Sequence, residues 1–329
     1  MKRLFIIGNG FDLSHKLKTS YNDFCKYLEN ACNGIRRYTP ETATDLYGDR
    51  TVNYESLSGF ILEIIDKFYK YEKWGDLENE LPEIIKKLQD LQEELDIYEM
   101  MNIYKDKIEW ERYEYRREEM EDNLAFCVPK IRELINDWIQ TIDTNSVGRK
   151  KKYSKIMSEE DFYLTFNYTD TLEEVYKVKP KNICHIHGIR GKEIVFGHGK
   201  EGDLFEEKED TPLIGCLLNY IHYELRKEVD NCNEKHWPFF RELEFAMKEK
   251  DILGIGGIGG IGGIKHIYSI GFSYTDVDLK YIREICIRMR DTTDCVWHLT
   301  KYDKKKNNIQ EYENKIKECG FQGKFGGLI

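Results

Sequence analysis

The sequence predicts an α/β protein, a mostly parallel sheet interrupted by a large helical insertion, on three observations. Short apolar runs end in turns of Gly, Asn or His, helix-period stretches follow those runs, and one long acidic helical segment separates the first run from the others. The first strand is expected at Leu4–Ile7, four apolar residues closed by Gly8-Asn9-Gly10. The same pattern recurs at 162–166 before Asn167, at 183–186 before His187-Gly188 and at 267–270 before Gly271. Residues 172–175 and 279–287 carry the helical period behind two of these turns, and a last strand is expected at 295–299.

Between the first and second strands, residues 57–142 read as helix almost throughout, and 72–122 hold 18 Asp/Glu against 8 Lys/Arg. That segment alone accounts for the net charge of -10. The division expected is an α/β nucleotide-binding core of residues 1–50 and 158–329, with 51–157 as an acidic helical insertion acting as a lid or interaction module. Pro129 is expected to bend or end a helix, and 149–152 to link the insertion back to the sheet. The Gly-Gly-Ile tract from Gly254 to Ile264 contains the spacing of a dinucleotide-binding glycine motif. A strand follows it where that motif needs a helix, so it reads as a repeat-expanded loop.

Composition excludes several classes. With 50 Lys+Arg against 60 Asp+Glu, a nucleic-acid partner held by a basic surface is not expected. No apolar stretch reaches the length of a membrane span or a signal-peptide core, so a soluble cytoplasmic protein with no membrane partner is expected. Nine widely spaced cysteines without a Cys-x-x-Cys pair give neither a disulfide framework nor a four-cysteine zinc site.

In an open parallel sheet, ligands bind at the carboxyl ends of the strands. There Gly8 and Gly10 allow close backbone approach, while Asn9 and Asp12 can bind hydroxyls or cap the next helix. Leu13 replaces the third glycine of a dehydrogenase-type fingerprint, which argues against that site. Asn167 can orient a water or a sugar hydroxyl, and His187 is a candidate general base. His185 is equally a structural histidine. The last turn supplies Gly271, Ser273, Asp276 and Asp278, with helix capping by Thr275 or Asp276 as the alternative reading.

Taken together, residues 7–12, 19–24, Trp74 with 76–78, 166–169, 185–188 and 271–278 resemble the AbiH family of bacterial phage abortive-infection proteins, in order and nearly end to end. In the last motif Phe272, Tyr274 and Thr275 stand where the family usually has His, Leu and Ser. The family motifs in turn look like a Rossmann-like, sirtuin-like NAD-binding core. That resemblance implies phosphate and ribose contacts for Gly8, Asn9, Gly10 and Asp12. It also implies Asn167 beside the nicotinamide ribose, His187 as the base, and Gly271 with Ser273 on the adenosine side; Asp276 and Asp278 match the motif without an assigned role. It implies NAD as substrate or ligand and no metal. Lack of the four-cysteine zinc module argues against peptide deacetylation. The expected function is abortive infection through hydrolysis of the nicotinamide–ribose bond, with a phage-derived trigger and a possible homo-oligomer. A nucleotide sensor without catalysis is the alternative. A metal-dependent nuclease or phosphoesterase using Asp12, His185, His187, Asp276 and Asp278 is a third.

Overall fold

A computed structural model of the chain describes residues 2–36, 39–68, 122–197, 264–289 and 291–329, with isolated helical positions between 119 and 243. Most of the acidic segment, the Trp74 motif and the Gly-Gly-Ile tract lie outside the described residues. The chain divides into two compact units. One comprises Met1–Thr19, Ile139–Val195 and Glu228–Ile329, the other Ser20–Trp138 and Phe196–Lys227. The unit boundaries therefore fall after Thr19, Trp138, Val195 and Lys227.

The first unit is built on a six-stranded parallel sheet of β1 (Leu4–Ile7), β4 (Phe162–Thr165), β5 (Ile183–His185), β6 (His266–Ile270), β7 (Val296–His298) and β8 (Lys324–Phe325). Its strand order is β5-β4-β1-β6-β7-β8, so the chain grows outward from β1 in one direction and then in the other. The residues of β1 and β4 are all buried, as a strand covered on both faces requires, which is why each is an unbroken apolar or aromatic run closed by a single Thr or Ile.

Alternation sends successive residues to opposite layers. Leu4, Ile6, Phe162, Leu164, Ile267 and Trp297 face one core, which includes Tyr281, Ile282 and Ile285 of α7 (Asp276–Met289) and Tyr312 and Ile316 of α8 (Ile309–Glu318). Phe5, Ile7, Tyr163 and Ile270 face the other core, with Phe11 of α1 (Asn9–Ser14), Tyr153 of α5 (Lys151–Ser154) and Leu172 of α6 (Thr171–Glu174). On that second face Tyr163, Phe5, Tyr268 and His298 occupy register positions on β4, β1, β6 and β7. Their rings stack in a row with centroids 5.1, 5.0 and 4.5 Å apart. Such pairs add about 0.5–1.5 kcal/mol each beyond area burial and oppose a slip of register.

The basic run at 149–152 is more than a linker. Arg149 donates from Nε to the Val175 carbonyl and from Nη2 to that of Tyr176, closing the carbonyl end of α6. Buried His15 is fully committed: Nδ1 donates to the Phe11 carbonyl and Nε2 accepts from Tyr176, whose hydroxyl in turn receives the Lys150 N–H.

In the second unit, α2 (Tyr21–Ala31) starts from a capping box between Ser20 and Asp23. That accounts for the polar 19–24 motif without a ligand. The unit also holds a hairpin of β2 (Thr42–Thr44) and β3 (Arg50–Val52), α3 (Tyr54–Phe68) and most of α4 (Ile131–Gln140). Pro129 lies in a short 3-10 turn immediately before α4.

Candidate functional site

Register alone assembles the site. Ile7 pairs with Thr165 on one side and with Ile270 on the other, and Thr165 pairs with His185. The turns that follow, at 8–12, 166–167, 186–187 and 271–273, therefore all leave the same edge of the sheet.

At its centre the two glycine turns pack on each other. Gly8 N–H donates to the Ile270 carbonyl and Gly10 N–H to that of Gly271, each at 3.0 Å, and Phe11 N–H returns to Gly8. A Cβ on Gly8 would stand 2.5 Å from the Gly271 oxygen, and one on Gly271 (φ +65) 2.4 Å from the backbone of Gly10 and Phe11. The glycines are thus required by backbone meeting backbone, and the Gly8 and Gly10 amides are used within the fold. Asn9 is turned aside too, its Nδ2 donating to the Thr19 carbonyl at 2.7 Å.

Asp12 is also engaged within the protein. It is buried, and its carboxylate accepts from Thr169 Oγ1 at 2.5 Å and Thr171 Oγ1 at 2.9 Å, with the Asn167 side chain as a third partner. Burial pushes the carboxyl up to about 6 against these three stabilising donors, and neighbouring Asp170 adds to the rise. Asp12 therefore fixes the segment after β4.

The sign of its linkage follows. A folded value near 6 above the ordinary 3.8 means that Asp12 supports folding most below pH 4, and that this support is lost as pH rises through 6. The loss approaches about 3 kcal/mol. Asp12→Asn should remove this dependence, so the thermal midpoints of wild type and variant should separate between pH 4 and pH 8. Parallel midpoint curves would refute the assignment. Burial holds His15 below its ordinary value, with Lys150 and Lys152 adding to the effect, so its contribution fades as pH falls. It acts in both proteins and cancels in the comparison.

Asn167 is 6% exposed. Its N–H donates to Thr165 Oγ1, and its amide nitrogen side is turned to the Asp12 carboxylate. Oδ1 is buried with no hydrogen-bond partner among the described residues. His185 stands behind it, with Nε2 2.7 Å from Glu173 Oε1 and Nδ1 3.4 Å from the Asn167 carbonyl.

His187 is 3% exposed and belongs to the opposite layer, its ring packed among Phe166, Tyr168 and Tyr281. Nε2 lies 3.0 Å from Asp278 Oδ1, while Thr275 Oγ1 donates to Oδ2 of the same carboxylate. A carboxylate can only accept, so Nε2 carries a proton, and in the neutral imidazole Nδ1 keeps the lone pair. Nδ1 too is buried without a partner among the described residues. Asp278 reaches this position because the chain bends at Tyr274 (φ +54) before entering α7. The bend is held from the core, where the Tyr274 hydroxyl pairs with Ser269 Oγ and receives the Trp297 indole N–H.

Asn167 and His187 are thus delivered to one edge from the two faces of the sheet. Ser273 and Asp276 stand exposed at the start of α7, and neither joins the buried groups. Thr169, Thr171 and Glu173 were not among the sequence candidates, and the pairing of Asp278 with His187 was not expected. The proposed metal-ligand set separates into three pairings, Asp12 with threonines, His185 with Glu173, and His187 with Asp278. Among the described residues no group of three or more His, Cys, Asp or Glu side chains is placed to hold a metal ion. No helix among them is long and apolar enough to cross a membrane.

A family model described as "Bacteriophage abortive infection AbiH" matches residues 4–300, from the start of β1 to just past β7. No curated protein and no solved structure matches the chain.

Proposed function

Because the chain belongs to the AbiH family of bacteriophage abortive-infection proteins, we propose that it serves phage defence by hydrolysing NAD at the nicotinamide–ribose bond. The observation that carries this reading is the pair of buried, unpartnered acceptors, Asn167 Oδ1 and His187 Nδ1, at the carboxyl edge of a parallel sheet. The strand order adds support. Counted within the sheet from β1, it runs 3-2-1-4-5-6, the doubly wound order whose switch point lies beside the first strand.

In the reaction, water attacks ribose C1′ as the glycosidic bond breaks, and nicotinamide leaves with the bonding electrons. Asn167 Oδ1 accepts a hydrogen bond from a ribose hydroxyl or the attacking water. His187 Nδ1 takes the proton that water sheds, and Asp278 stabilises the resulting imidazolium. The products are ADP-ribose, nicotinamide and a proton.

The test is NAD consumption by the purified full chain and in phage-infected cells expressing it. Asn167→Ala and His187→Ala should each lower turnover about 10²- to 10⁴-fold. Undiminished turnover in both variants would defeat the assignment. Tight NAD binding without turnover, with defence retained in Asn167→Ala, would identify a nucleotide sensor instead.

A further inference from the structure

The hydrogen-bonding sense of this edge is lopsided. Three of its buried atoms have no partner among the described residues, Asn167 Oδ1, Glu173 Oε2 and His187 Nδ1, and each is an acceptor in the arrangement found. The amide of Asn167 is oriented by Asp12, which takes its N–H side. Glu173 uses only Oε1 on His185. In the neutral imidazole, the Asp278 contact leaves His187 Nδ1 as the acceptor.

Several nearby donors, by contrast, are committed. The N–H groups of Gly8, Gly10 and Phe11 serve backbone carbonyls. Arg190, just beyond the His187–Gly188 turn, donates to Asp170 at 2.8 Å and to the Ile142 carbonyl. A phosphate is acceptor-rich and needs N–H groups or cations, whereas ribose hydroxyls and a carboxamide NH₂ supply the donors these orphan oxygens and nitrogen lack. A buried acceptor left unmatched is costly, so a ligand that matches these is selected strongly.

We infer that this edge recognises its ligand through the hydroxyls of a ribosyl group and a neighbouring carboxamide, with phosphate contributing little. The inference deepens the NAD reading, rests on it for the placement of the ligand, and replaces the expected phosphate contacts of the glycine turn.

The experiment is a thermal-shift titration of the full chain with the uncleavable carbocyclic form of nicotinamide riboside, its 2′-deoxy counterpart, sodium pyrophosphate and manganese chloride. The riboside should raise the midpoint in a saturable way, the 2′-deoxy compound should need roughly tenfold to a hundredfold more to do so, and neither salt should act. A shift with pyrophosphate would show a phosphate anchor, a shift with manganese a cation site, and the absence of a shift with the riboside no such recognition; each overturns the inference. In the turnover assay, nicotinamide riboside should be cleaved with kcat/KM within about tenfold of NAD, since the shared groups carry recognition. NAD cleavage with a preference over the riboside beyond a hundredfold would sink this inference and spare the NAD reading. A riboside shift without NAD cleavage would do the reverse.

Discussion

Gly271→Ala is expected to cost about 4 kcal/mol or more, a large part of the stability of an ordinary domain. Two independent penalties meet at this residue. A φ of +65 is strained for alanine by about 1 kcal/mol, and the added Cβ would lie 2.4–2.5 Å from the backbone of Gly10 and Phe11, which cannot swing aside as a side chain would. Two other glycines separate the contributions. Gly34 has φ +77 with nothing within 4 Å of the added carbon, so its alanine variant should lose only about 1 kcal/mol. Gly148 has neither a positive φ nor a neighbour, and should stay within about 0.5 kcal/mol of wild type. Thermal midpoints of the three variants should fall in that order. If Gly271→Ala were as stable as Gly148→Ala, the close packing of the two turns would be refuted, and with it the reason their amides are unavailable to a ligand.

The same turn shows how far the sequence could be read. A buried strand ending in Gly-x-Gly announces that something approaches the backbone closely, and that much was legible at Leu4–Ile7 and again at Gly271. Whether the visitor is a phosphate or another backbone is decided by strand order, which puts β6 beside β1 despite the long separation in sequence. The strand 162–165 was readable because burial on both faces demands a nearly continuous apolar run, whereas β6, with His266 and Tyr268 half-buried, was marked by the Gly271 turn that closes it. β8 is two residues long with one of them exposed, and the hairpin strands carry no apolar face, so neither leaves a pattern to read. Side-chain partnerships were least accessible. Asp12 finds its threonines 157 and 159 positions away, and His187 finds Asp278 at a separation of 91. Local grammar gives each of these acids a sufficient explanation as a helix-terminus residue, so nothing in the sequence asked for a distant partner.

The pairing of His187 with Asp278 makes the second large prediction. Asp278→Asn would keep the size of the side chain and leave the capping contact with Thr275 open to it. Its carbonyl oxygen could still accept the proton on Nε2, but its amide could equally donate there and draw the imidazole into the tautomer that protonates Nδ1. It also removes the negative charge that stabilises His187 once the proton has been taken. If His187 Nδ1 is the base, kcat for NAD hydrolysis should fall about 10³- to 10⁴-fold with KM little changed, because substrate contacts are untouched and only the transition state loses its partner. The double variant Asp278→Asn/His187→Ala should be no worse than His187→Ala alone, since an orienting group has nothing left to orient. Losses that multiply across the two positions would mean that Asp278 acts on the substrate by itself. An unchanged kcat in Asp278→Asn, with the thermal midpoint preserved, would reduce the contact to helix capping and leave His187 without the feature that distinguishes it from a packed core histidine.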